Sequence, residues 1–130
     1  MSKKLLYIED DLALVEVVRK RAALDGYEFA AVNDGEKALS VTIDFMPDII
    51  VTGILMPKIG GFDVIDILKN TKETRHIPII VLSAIFTDID IIRGYKLGVS
   101  RYLNCEKTTV KRLFECISEV LDDQVVVVKK

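Results

Sequence analysis

Cysteine is scarce in this sequence, with only Cys105 and Cys116 among 130 residues. Two thiols are too few for the disulfide framework of a small secreted protein, and a structural zinc site needs about four ligands. A chain of this length can bury a core without such cross-links. We therefore expect both cysteines to be reduced thiols in a cytoplasmic protein.

A strong charge of one sign is also missing, because 18 Lys and Arg residues nearly balance 20 Asp and Glu residues. No strong field is available to attract nucleic acid or an acidic membrane surface, so we expect neither as a partner of this domain. No apolar run approaches the roughly 20 residues that span a bilayer, and the first residues lack a leader-like hydrophobic segment. The composition predicts a soluble protein whose partners are selected by shape and local chemistry.

Short apolar runs alternate with segments of helical periodicity along the whole chain. Asp11 can cap the first helix and Gly26 can end it, while Pro47 and Gly98 end later helices. Five strands and five helices with short crossovers predict an α/β protein with a doubly wound parallel sheet in the order 2-1-3-4-5. The predicted strands are residues 5–8, 27–32, 49–51, 79–82 and 102–103.

We predict a single domain over residues 1–124, since no repeat or linker divides the chain. Residues 125–130 lie beyond the last amphipathic helix. They are an added strand, the start of a linker or a disordered tail.

Two adjacent carboxylates, Glu9 and Asp10, follow the first predicted strand. Oxygen ligands of this kind suit Mg²⁺. Acidic residues at this position more often cap a helix or face solvent, and the pair alone favours that interpretation. The location adds weight to a metal site, because ligands of such sheets bind at the carboxyl ends of the strands.

Several motifs in order and spacing resemble the receiver domain of response regulators in two-component signalling, which has a flavodoxin-like fold. The matching segments are Ile8-Glu9-Asp10-Asp11, Gly26-Tyr27, Pro47-Asp48-Ile49-Ile50-Val51, Met56-Pro57 with Gly60-Gly61, Ile77 to Ala84, and Gly98 with Tyr102-Leu103. They cover nearly the whole chain.

The resemblance implies a phosphoaccepting aspartate four residues before the loop proline, Pro57, and that position is Gly53. In the family this aspartate receives phosphoryl from a histidine kinase and binds Mg²⁺ together with one residue of the acidic pair and a backbone carbonyl. Glycine offers neither nucleophile nor ligand, so the resemblance implies weak Mg²⁺ binding at most. Asp48 and Asp63 are expected to lie too far away to substitute for the missing carboxylate.

A second family position has also changed. The resemblance places a lysine three residues after the fifth-strand aromatic, and Cys105 stands there, followed by Glu106. A thiol does not supply the fixed positive charge that pairs with a phosphoryl group. Lys107 is the nearest lysine, but a loop lysine is usually solvated.

Ser83 and Tyr102 occupy positions at which family members sense the phosphoryl group. Without a phosphoryl group to detect, we favour a simpler interpretation, in which Ser83 is a strand-ending hydroxyl and Tyr102 a partly buried aromatic. His76 precedes Ile77-Pro78 at the far edge of the sheet and is expected at the surface, not as a phosphate carrier.

We infer from these positions a degenerate, non-enzymatic receiver that acts as a phosphorylation-independent interaction module. Its partner would be a histidine kinase, a phosphotransferase, an output domain or a second copy bound through the fourth and fifth helices. The surface expected to bind comprises Ile91, Ile92, Tyr95, Lys96, Tyr102, Lys111, Arg112 and Glu115.

Two alternatives remain open at the level of sequence. The chain is an ordinary receiver carrying an Asp-to-Gly substitution at position 53, or the vacated pocket senses redox state or a ligand through Cys105. The second change at Cys105 argues against the former alternative. The frequent burial of cysteine as a small apolar residue argues against the latter.

Overall fold

The computed structural model describes residues 2–124, and the predicted tail at residues 125–130 lies outside them. Five strands and five α-helices alternate along the chain. The strands are β1 Lys4–Ile8, β2 Glu28–Val32, β3 Ile49–Thr52, β4 Ile79–Ser83 and β5 Arg101–Asn104. The helices are α1 Leu12–Leu24, α2 Ala38–Phe45, α3 Gly61–Lys69, α4 Asp88–Leu97 and α5 Val110–Gln124, with a 3-10 turn at Gly35–Lys37 before α2.

All four strand pairings are parallel, and the strand order β2-β1-β3-β4-β5 confirms the predicted topology. Strands β1, β3 and β4 are almost entirely buried, which explains their continuous apolar sequences. Successive side chains point to opposite faces, so Leu5 and Tyr7 of β1 pack toward α1 and α5. Leu6 and Ile8 pack on the other face, toward α2 and α3.

The predicted helix boundaries have clear local causes. Asp11 caps α1, because its side chain accepts hydrogen bonds from the backbone N–H groups of Ala13 and Leu14. Gly26 follows the helix with φ of 83°, a conformation that glycine adopts without strain. Among the described residues, no helix is long and apolar enough to cross a membrane.

Strand boundaries differ from the predictions by one residue at several ends. Tyr27, predicted as the first residue of β2, donates its backbone N–H to Ala22 O at 2.9 Å and so belongs to the turn after α1. Strand β5 is longer than predicted, because Arg101 and Asn104 both pair with β4. Such ends depend on hydrogen bonds that local sequence does not specify.

Candidate functional site

Four positions meet at the carboxyl edge of the sheet. Glu9 follows β1, Gly53 follows β3, Ser83 ends β4 and Cys105 follows β5. They line a pocket of about 150 Å³ together with aliphatic side chains that include Leu14. The parallel sheet therefore brings together four residues that are spread over nearly 100 positions of the sequence.

The carboxyl group of Glu9 lies where a side chain at position 53 would begin. A Cβ atom built on Gly53 would be 2.6 Å from Glu9 Oε1, a distance that real contacts do not reach. The other oxygen, Oε2, accepts a hydrogen bond from the backbone N–H of Asp11 at 3.0 Å. The structure therefore accommodates Glu9 in the space that glycine leaves empty.

Glu9 is only 9% exposed, and its carboxyl has a raised pKa. Burial is the largest cause, the hydrogen bond from Asp11 opposes it, and the neighbouring Asp10 adds to it, so that the pKa rises from 4.5 to about 7. Asp10 itself is exposed. The two residues of the acidic pair therefore have different environments, one in the pocket and one in solvent.

These residues do not fit the magnesium site that the fold would otherwise suggest. Gly53 contributes no side-chain ligand, so only the carboxyl groups of Glu9 and Asp10 remain of the expected ligands, and Glu9 Oε2 already accepts from the backbone N–H of Asp11. Within residues 2–124, no group of three or more His, Cys, Asp or Glu side chains is arranged to hold a metal ion.

The residues considered as substitutes lie elsewhere. The carboxylate of Asp48 accepts from the backbone N–H of Lys4 at 2.7 Å, which places it at the opposite end of the sheet. Asp63 is exposed in the first turn of α3. Lys107 is exposed, and in the described part of the chain no ion pair joins it to Glu9. None of the three brings a carboxylate or an ammonium group to the pocket.

Ser83 and Tyr102 both have protein partners. Ser83 Oγ accepts from the backbone N–H of Ile85 at 3.0 Å, and the Tyr102 hydroxyl donates to the carbonyl oxygen of the same residue. Tyr102 is 5% exposed, and its ring lies 5.8 Å from that of Phe86. Burial and, secondarily, Asp90 raise the pKa of Tyr102 to about 12, so its hydroxyl remains a donor. The structure therefore holds both side chains in place without a phosphoryl group.

Cys105 is partly exposed and lines the pocket. Burial raises the pKa of its thiol, and Glu106 and Glu9 raise it further. A reactive thiol needs the opposite shift, toward the thiolate.

Only some residues of the predicted interaction surface are exposed to solvent. Ile92 and Tyr95 are 54% and 47% exposed. Ile91 packs against the core and Tyr102 is buried, so neither forms the exposed face. The remaining predicted residues, Lys96, Lys111, Arg112 and Glu115, are exposed.

Two notable side chains were not among the residues predicted from the sequence. Ile89, at the start of α4, is 78% exposed and extends the apolar face formed by Ile92. Tyr7 is fully buried in β1, although it carries a hydroxyl group. The signal for Tyr7 was present, since it is the one polar side chain in a predicted strand buried on both faces.

Several known proteins are similar to this chain. The family model "Response regulator receiver domain" matches residues 5–117. The chain is 34% identical to the response regulator PleD of Caulobacter vibrioides over 103 residues, 79% of this chain and 23% of that protein. It is 31% identical to the DNA-binding dual master transcriptional regulator RpaA of Synechocystis over 77% of this chain and 42% of that protein. The chain thus spans less than half of either relative.

Solved structures show the same fold at low sequence identity. The receiver domain protein (CheY-like) from Methanospirillum hungatei matches with a TM-score of 0.88 and 18% identity, covering 95% of this chain and 97% of that one. A putative response regulator from Chloroflexus aurantiacus matches with a TM-score of 0.86 and 24% identity, covering 94% and 99% of the two chains. Receiver domains are signalling modules that interact with histidine kinases and output domains. By its sequence and its fold, the chain belongs to the response regulator receiver domain family.

Proposed function

We propose that this receiver domain acts as a phosphorylation-independent protein-interaction module in two-component signalling. The observation that carries the proposal is the packing of Glu9 into the space beside Gly53, where a phosphoaccepting side chain would lie. Cys105 lacks the charge that would stabilise a phosphoryl group. The proposed site of action is the cytoplasm, which agrees with the free thiols of Cys105 and Cys116.

The exposed face of α4 supports binding to a protein. Ile89, Ile92 and Tyr95 form an apolar strip on this helix. Charged residues of α4 and α5, namely Lys96, Lys111, Arg112 and Glu115, are exposed as well. An apolar centre with a charged rim is the usual composition of a protein interface. The proposed partner is a histidine kinase, a phosphotransferase, an output domain or a second copy of the domain.

The position of Tyr102 supports a surface that needs no phosphoryl group to form. Its backbone N–H donates to the hydroxyl of Tyr95 at 3.2 Å, which links β5 to the exposed strip. Its own hydroxyl is bonded to Ile85 in the loop before α4. Hydrogen bonds through Tyr102 and Ile85 therefore connect the apolar strip to the pocket beside Gly53. These bonds are present in the protein without a phosphoryl group.

The proposal predicts that acetyl phosphate with Mg²⁺ leaves the protein unmodified. Intact-mass measurement should show no added phosphoryl group, and sedimentation should give the same oligomeric state before and after treatment. The variant G53D/C105K restores a carboxylate nucleophile and an ammonium group at the two altered positions. It should gain one phosphoryl group under the same conditions and serves as the positive control. A stable phosphoryl group on the unaltered chain would refute the proposal.

A second prediction concerns Gly94, which lies inside α4 under the ring of Tyr102. A Cβ atom at this position would be 2.6 Å from Tyr102 Cδ2, so Gly94→Ala should displace the ring toward solvent. The variant should lose about 1 kcal/mol of stability, since the lost ring packing exceeds the gain in helix propensity. The NMR signals of the Tyr102 ring report its position, and Lys96→Ala on the exposed side of α4 is the control that should leave them unchanged.

The alternative of redox sensing through Cys105 has less support. The raised pKa of its thiol disfavours the thiolate that oxidants attack. The alternative of an ordinary receiver with one substitution requires Cys105 to be an unrelated change in the same pocket.

A further inference from the structure

Tyr7 carries a buried hydroxyl group without a hydrogen-bond partner. The side chain is 0% exposed, and its hydroxyl is the only buried side-chain oxygen or nitrogen atom in the described part of the chain that lacks a partner. Buried tyrosines usually bond their hydroxyl, because an unpaired polar group in an apolar environment is destabilising. This group therefore requires an explanation that the packing of the domain alone does not provide.

Tyr7 lines a pocket of about 220 Å³ between α1, the end of β4 and the start of α5. Most of its lining is aliphatic, with Leu14, Val17 and Leu82 among the contributing side chains. Tyr7 is the second-last residue of β1, close to the carboxyl edge of the sheet, and Cys105, which follows β5, lines the same pocket. The unpartnered donor thus belongs to a side chain of this pocket.

This pocket adjoins the smaller one beside Gly53. Leu14, Leu82 and Cys105 line both, so the two pockets are adjacent. Leu14 is 38% exposed. Cys105 is a small side chain at this boundary, and Gly53 has no side chain.

We propose that this pocket binds a small neutral molecule with an apolar ring or short chain and one hydrogen-bond acceptor, which bonds to the hydroxyl of Tyr7. An apolar cavity of about 150 Å³ holds a benzene molecule. A pocket of about 220 Å³ therefore has room for a six-membered ring with a substituent. No Asp, Glu, Lys or Arg side chain lines the pocket, which disfavours a charged ligand.

The chemistry of Tyr7 agrees with a donor role. Burial raises the pKa of its hydroxyl, and Glu9, Cys105 and Asp11 raise it further, so the group stays protonated at all physiological pH values. A carbonyl, ether or hydroxyl oxygen is the matching acceptor. The inference goes beyond the proposed interaction function and does not depend on it.

Two probes of nearly equal shape test this inference. Cyclohexanone offers a carbonyl oxygen, and methylenecyclohexane has the same ring with a carbon in its place. In heteronuclear NMR titrations of the whole chain, both probes should shift the signals of residues lining the pocket, and only the affinity for cyclohexanone should depend on the Tyr7 hydroxyl, by about tenfold for one buried hydrogen bond.

Three variants separate this role from a structural one. Tyr7→Phe should weaken cyclohexanone binding about tenfold while leaving methylenecyclohexane binding unchanged, and it should not lower the thermal midpoint, because it removes an unpaired group. Cys105→Leu should weaken both probes by filling the space between the pockets. Tyr27→Phe removes a half-buried hydroxyl elsewhere on the same side of the sheet and should change neither affinity.

An ordered water molecule on Tyr7 is the competing explanation. In that case Tyr7→Phe would leave both affinities unchanged or change them equally, and that result would overturn the inference. Phosphorylation of the unaltered chain by acetyl phosphate would contradict the proposed function and leave this result unaffected, so the two failures are distinguishable.

Discussion

Gly53→Asp should lower the free energy of unfolding at pH 8 by about 2 kcal/mol. The new carboxylate would enter a pocket that already contains the carboxyl of Glu9, whose Oε1 lies 2.6 Å from the position of a Cβ atom at residue 53. Two like charges about 4 Å apart repel by about 4 kcal/mol at an effective dielectric constant of about 20. Movement of the flexible Glu9 side chain toward solvent relieves part of that energy. No lysine at position 105 is present to offset the remainder.

Mg²⁺ should restore most of the stability that the Gly53→Asp variant loses. Aspartate at position 53, together with Glu9 and Asp10, completes a set of oxygen ligands that suits Mg²⁺. Urea unfolding at pH 8 with and without Mg²⁺ measures the effect, which should be absent in the unaltered protein. Gly53→Ala introduces the steric displacement without charge and is the control. Equal stability of the Gly53→Asp and Gly53→Ala variants would show that Glu9 carries no charge at this pH or has left the pocket.

Glu9→Gln should raise the free energy of unfolding at pH 8 by about 3 kcal/mol, because it removes a buried carboxylate that must ionise above neutral pH. The pKa of Glu9 rises from 4.5 to about 7, mainly through burial. The folded protein therefore holds this proton more tightly than the unfolded chain does. Glutamine keeps the acceptor oxygen for the backbone N–H of Asp11 and carries no charge.

The pH dependence has a definite sign. Between pH 4.5 and about pH 7 the folded state binds more protons at Glu9 than the unfolded state, so this residue makes stability fall as pH rises through that window. In urea unfolding, the unaltered chain and the Glu9→Gln variant should have similar free energies of unfolding below pH 4.5. The two free energies should diverge as the pH rises to 7. The exposed Glu73→Gln variant, which removes the same charge far from the pocket, should follow the unaltered chain. A constant difference at all pH values would mean that Glu9 titrates normally.

Much of the fold followed from local sequence. The apolar runs of β1, β3 and β4 predicted buried strands, and the helical spacing between them predicted the crossovers that require a parallel sheet. Asp11, Gly26 and Pro47 marked element ends through their own backbone preferences. The strand ends at Tyr27 and Arg101 were displaced by one residue, since they depend on hydrogen bonds to distant parts of the chain.

One property of the candidate site could be predicted from the sequence, namely the chemical groups that two of its positions offer. Residue type alone establishes that Gly53 cannot accept a phosphoryl group and that Cys105 cannot supply an ammonium charge. These conclusions need only the position of each residue in the receiver pattern. They do not need the position of any atom.

The tertiary structure determined how the side chains pack in and around the pocket. Sequence did not show that Glu9 turns into the pocket while Asp10 stays in solvent, that the Tyr102 ring packs against Gly94, or that the hydroxyl of Tyr7 has no partner. Each of these outcomes depends on contacts between residues far apart in the chain, which form only when the strands meet at one edge of the sheet. The sequence by itself determined which chemical groups these positions can offer, and packing decided how those groups are arranged.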